Sequence, residues 1–302
     1  VNHPTACYHV NTGNRFGGDP GIGAWVTYGL GSQNANLPAY VVMHGTKPRG
    51  ADPIWSSGYL PSVYQATALN PSQPKPIDNL VPHAELTGAA QRSLLDQLKK
   101  VNARHAEQRP FEGDLNARLE SFELAYRMQS AAPEAFDVTR EPEHVQQAYG
   151  LDRKESRDYA RQCLTARRLL ERDHGPLSRG MAIGAAALIK DLKQRGLLDD
   201  TLVVWGGEFG RTPHGENGSG RGHNNKGYTT FMAGGGVKGG FSYGATDEYG
   251  YEAVEGRMHT HDWHATILHL LGLDHEKLTY QHAGRPFRLT NVAGNVAEDI
   301  LV

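Results

Sequence analysis

Cysteine is nearly absent. Only Cys7 and Cys163 occur in 302 residues, too few for a disulfide framework and too far apart to speak for a redox compartment. No apolar run reaches the roughly 20 residues of a membrane-spanning helix, so no membrane partner is expected. An excess of one charge is missing too: a net charge of −2 with no basic cluster removes the electrostatic footprint of a nucleic-acid binder. Val1-Asn2-His3-Pro4 has neither the charged nor the apolar region of a signal peptide. Internal repeats and low-complexity tracts do not occur. What the chain has in quantity is glycine and histidine, 36 and 15 respectively. Glycine accumulates where backbone approaches a ligand or takes a positive φ, and histidine at this frequency is compatible with metal chemistry. The length suffices to bury a substantial core.

Residues 1 to 36 read as loops around one short helix. Pro38 to Met43 reads as a strand, and 44 to 82 as a Pro- and Gly-rich connection. From 87 to 172 apolar residues recur at helical spacing, as in Leu94, Leu95, Leu98 and Val101, which predicts a helical insertion. Met181 to Arg195 predicts a further helix stopped by Gly196, Leu202 to Trp205 a buried strand, Thr229 to Ala233 a short strand, and Trp263 to Leu271 a helix capped by Asp262. A short helix is expected within Gly294 to Val302.

The chemistry concentrates after the strand ending at Trp205. Gly206-Gly207-Glu208-Phe209-Gly210-Arg211-Thr212-Pro213 is followed by Gly220-Arg221-Gly222-His223 and by His259-Thr260-His261-Asp262. In open α/β sheets ligands sit at the carboxyl ends of strands. Glu208 and Arg211 would project there, where the later histidines supply nitrogen donors for a divalent metal. Each residue also has a structural role open to it. Glu208 would pair with Arg211 in a loop salt bridge, His223 would be solvated, and His259 and His261 would serve a helix start. His264 and His269 read as packing residues and His275 and His282 as surface.

The run from Asp191 through Glu208 to Thr212 closely resembles the sulfatase-like family known as domain of unknown function 1501. Ala233-Gly234-Gly235-Gly236-Val237-Lys238-Gly239-Gly240 and His261-Asp262 with Ala265 to Gly272 resemble it too. That family looks like a branch of the alkaline phosphatase superfamily. The resemblance implies one α/β domain over 1–302, with a mixed, mainly parallel sheet flanked by helices and the helical insertion at 87–172. It further implies a site using a divalent metal such as zinc, calcium or magnesium, with Glu208, His223 and His261 as ligands. The substrate would be a small-molecule or carbohydrate sulfate or phosphate ester, with Arg211 gripping its oxygens. Many members of the family look exported.

Three departures from the family pattern stand out. No strand with an early carboxylate precedes Val1, so the chain reads as a fragment. Arg172 runs directly into Asp173-His174, which read as the remains of a Trp-Asp-x-His metal element whose strand is missing. Gly222 stands where the pattern has Asp. In sulfatase-like relatives the nucleophile lies ten residues before the Gly of a Thr-Gly pair, at a helix start that favours a transferring anion; Thr12-Gly13 puts His3 there. No formylglycine signature occurs, leaving His3, or Thr5 beside it, as nucleophile candidate against a plain helix-capping turn. Two other functions stay open: an inactive relative binding an anionic, sulfated carbohydrate-like ligand, and a structural module built on the 87–172 helices.

Overall fold

The computed structural model describes residues 2–32, 34–45, 52–77, 80, 88–107, 113–171, 182–215 and 220–302. It opens on two helices where the sequence predicts one. Helix α1, His3–Thr12, starts at Asn2, whose side chain accepts from the Thr5 N–H, and carries Pro4 in its first turn. It stops at Gly13, at φ 75°, a left-handed conformation that glycine adopts without strain. A Cβ there would lie 2.5 Å from the Leu289 carbonyl, so the neighbouring chain also requires glycine. Helix α2, Ile22–Leu30, buries Trp25 against Leu60, Leu268 and Leu289.

Strands β1, Val41–Met43, and β2, Thr67–Leu69, pair in parallel and share a core with Met128, Ala132, Ala135, Phe136 and Leu169. Those last residues belong to α4, Gly113–Phe136, and α6, Arg157–Leu170. With α3, Gly88–Glu107, and α5, Glu143–Tyr149, they supply the helices expected between 87 and 172. Helix α7, Ala182–Gln194, packs on this group through Ala187 and Leu188. The predicted helix start at Met181 lies outside the described residues.

Strand β3, Val203–Trp205, receives β6, Phe231–Ala233, antiparallel. Between them lies the hairpin of β4, Gly210–Gly215, and β5, Arg221–Asn224. A second hairpin joins β7, Ala245–Thr246, to β8, Ala253–Glu255. Helix α8, Thr260–Leu270, and the hairpin of β9, Tyr280–His282, and β10, Arg285–Phe287, follow. The expected helix at the carboxyl end is a single 3-10 turn, Glu298–Ile300.

The chain is mixed α/β, but the mainly parallel sheet implied by the resemblance is not what the described residues form. Their strands make two-stranded ladders, with β1–β2 parallel and the rest antiparallel. The reason is the connection. Parallel pairing needs a crossover, usually helical, and the described residues between β3 and β6 hold a hairpin and no helix.

A buried charge fixes the helical side of the molecule. Arg167, 2% exposed, meets Glu141 and Glu171 at 2.6 Å and Asp191 at 3.4 Å. Removing one partner of a buried pair strands the others. Arg167→Ala is therefore expected to lower the unfolding free energy by about 3–5 kcal/mol in urea titrations; a loss below about 1 kcal/mol, the level of an exposed pair, would contradict the network.

Candidate functional site

Helix α1 is the element on which the site is built. At its amino end, His3 Nδ1 donates to Glu208 Oε1 at 2.6 Å, across 205 positions of sequence. Glu208 stands just beyond the carboxyl end of β3, as its sequence position predicts. It pairs with His3 and not with Arg211, so a loop salt bridge between Glu208 and Arg211 is not what forms. An ionised carboxylate accepts only, so the bond places a proton on Nδ1, and in the neutral ring Nε2 is then the nitrogen that keeps the lone pair.

The β4–β5 hairpin brings the next two residues. Arg211 and His223 are register partners across it. The His223 ring stacks on Phe209 at 4.1 Å between centroids and meets the His3 ring edge-on at 4.7 Å. Arg211 lies over the Phe209 ring at 5.6 Å and donates to the Arg221 carbonyl at 3.1 Å. Among the described residues no carboxylate pairs with it. Its planar fork of five donors keeps capacity for an anion. Tyr228 completes the surroundings: burial, then the Glu208 carboxylate, hold its phenol above the usual range. Phe209 carries no ionisable group, and the signal it leaves in the sequence is an aromatic directly after Glu208 in a glycine-rich turn.

His261 does not join this group. It sits with His9 and His259, at ring separations of 6.1 and 4.9 Å, against the carboxyl end of α1. His9 is in the last turn of α1, about 9 Å along the axis from His3 at 1.5 Å rise per residue. His261 Nε2 donates to the Gly13 carbonyl at 2.8 Å, and His264 Nε2 to the Val10 carbonyl at 2.8 Å. Asp262 is the third residue of α8, not its cap; the cap is His259, and the two form a reciprocal capping box. His264 packs as expected, His269 is exposed instead, and His275, expected at the surface, is buried on Thr290 at 3.0 Å. His282 is exposed.

Of the metal set named from the resemblance, Glu208 and His223 lie at the amino end of α1 and His261 at its carboxyl end. Among the described residues no group of three or more His, Cys, Asp or Glu has a disposition that would hold a metal ion. Asp173 and His174 lie outside the described residues. Among the described residues, no helix is long and apolar enough to cross a membrane.

Fold and site together define a mixed α/β protein with a histidine–carboxylate pair and an arginine beside the end of a strand. The chain belongs to the family described as Protein of unknown function (DUF1501), whose model matches residues 1–176 and 170–301. The two matches meet at the stretch where Arg172 runs into Asp173-His174. Neither a curated protein nor a solved structure matches the chain.

The histidines at the α8 end tie stability to pH. Burial, assisted by the neighbouring His259 and His261, lowers the His9 pKa to about 4. Burial also lowers that of His264 to about 3, against the opposing effect of its bond to Val10. Both are neutral when folded and titrate near 6.5 when unfolded. Their contribution to stability is therefore complete above pH 6.5. It is lost as pH falls towards 4 for His9 and towards 3 for His264, at up to about 1.4 kcal/mol per pH unit per proton. His264→Gln, whose amide also donates to a carbonyl, should make the decline of the urea midpoint between pH 6 and 4 shallower by about one proton. An unchanged slope would show that His264 is not a source of it.

Proposed function

We propose that the chain is a hydrolase of sulfate or phosphate esters, of the sulfatase-like type in the alkaline phosphatase superfamily, acting on a small-molecule or carbohydrate ester. The observation that carries this is the His3–Glu208 hydrogen bond at 2.6 Å, with Arg211 and His223 gathered beside it. Glu208 holds the Nδ1–H tautomer of His3. Nε2 then attacks the sulfur or phosphorus atom, the ester oxygen leaves and takes a proton from water, and a second water cleaves the N–S or N–P bond to release the anion and restore His3. The Arg211 fork binds the equatorial oxygens, whose charge grows in the transition state. The likeness of the Asp191–Thr212 run to sulfatase-like proteins supports the choice of ester.

A divalent metal is the cofactor that the resemblance implies. Glu208 and His223 are the donors nearest this site, and the described residues add no third that fits, so no step is routed through a metal. A second function rests on Arg211, with which no carboxylate pairs among the described residues: an inactive relative that binds a sulfated or phosphorylated ligand through Arg211 and His223.

Hydrolysis of 4-nitrophenyl phosphate and sulfate, with and without added Zn²⁺, Mg²⁺ or Ca²⁺, separates the two. Under the first, His3→Ala lowers kcat/KM by about 10³-fold and Glu208→Gln by about 10²-fold, the scale of losing an activated nucleophile or its orienting partner. Wild-type turnover no greater than that of His3→Ala would sink the hydrolase. Phosphate binding by calorimetry that disappears in Arg211→Ala, without turnover, would establish the anion-binding alternative.

A further inference from the structure

We propose that Phe209 is the positioning residue of this site, its ring being the common surface on which His3, His223 and Arg211 are set. Three polar groups from three places in the chain meet one apolar side chain. The His223 ring stacks on Phe209 at 4.1 Å and 29°, the His3 ring leans on it at 4.9 Å and 47°, and the Arg211 guanidinium carbon lies 5.6 Å from its centre. His3 and His223 are themselves in edge contact at 4.7 Å.

The ring suits the task because a benzene ring, in phenylalanine or tyrosine alike, offers planar faces and edges that orient imidazoles and attract a guanidinium. Its position serves the same end. Phe209 directly follows Glu208 and lies two residues before Arg211, so one short turn carries the acceptor, the surface and the cation together. An imidazole turned over about its Cβ–Cγ bond would exchange Nδ1 for a carbon facing Glu208. Rings against His3 on two sides, Phe209 and His223, oppose that turn. Leucine has comparable apolar character without a planar face, and would fill space without orienting anything.

The catalytic consequence of this role rests on His3 being the reacting group, whereas the orienting of the ring is read apart from turnover. Imidazole ¹⁵N shifts distinguish the Nδ1–H from the Nε2–H tautomer, with the His3 signals assigned by their loss in His3→Ala. Wild type and Phe209→Tyr should hold His3 as the Nδ1–H form. Phe209→Leu and Phe209→Met, both shown folded by circular dichroism, should give a mixture of the two forms. Where wild type hydrolyses 4-nitrophenyl phosphate, kcat should fall by about tenfold or more in the leucine variant with little change in KM, as misorientation of a reacting group predicts, and Phe209→Tyr should restore it. An undisturbed Nδ1–H form in both aliphatic variants overturns the positioning role, and in an active protein it leaves the hydrolase in place. Loss of that form in a protein without turnover supports the positioning role and removes the hydrolase.

Discussion

The last turn of a helix leaves carbonyls that no N–H of its own can reach, and in α1 two of the local carbonyls are met by histidines from α8. His264 donates to Val10 and His261 to Gly13. Burial penalises a charge on His264 and lowers its pKa to about 3, so this ring docks as a neutral donor. The docking also exploits the glycine at 13, since a side chain there would strike the Leu289 carbonyl. Fixing one end of a rigid helix fixes the other. The amino end of α1 then presents His3 to Glu208, a residue that β3 and the turn after it deliver from the far side of the sequence.

That arrangement explains which parts of the fold were legible. Helices α6, α7 and α8 and strand β3 are local consequences of apolar spacing and stop signals, and their positions follow from the sequence within a few residues. Pairing is not local. Leu202 to Trp205 is recognisable as a strand, but nothing in it states that its partner would be Phe231–Ala233 running in reverse; that depends on the hairpin between them. The first thirty-six residues gave too weak a period for α1 to be separated from its loops, because only Ala6, Cys7, Val10 and Thr12 are buried along it.

At the site, residue type announced candidates and packing assigned them. His3, Glu208, His223 and Arg211 were all visible in the sequence and stand together. His261 had the same credentials, yet its Nε2 is taken by a backbone carbonyl, and which nitrogen a histidine commits is decided by neighbours hundreds of positions away. Phe209 is the opposite case, a residue with no donor, acceptor or charge whose part in the site shows only in its packing.

Magnitude decides what holds the His3–Glu208 pair in place. His3 is 37% and Glu208 25% exposed, and an ion pair or hydrogen bond in that setting contributes about 0–1 kcal/mol, too little to immobilise two side chains against about 1 kcal/mol or more of lost rotamer freedom. The contact therefore cannot be its own cause. Its geometry has to be inherited from groups that are ordered for other reasons: α1 through its buried docking on α8, Glu208 through the strand and glycine turn, and the imidazole through the faces of Phe209 and His223. A site assembled in this way keeps its hydrogen bond weak while its orientation is stiff, and under the proposed function that stiff orientation, not the strength of the bond, is what holds Nε2 towards the ester.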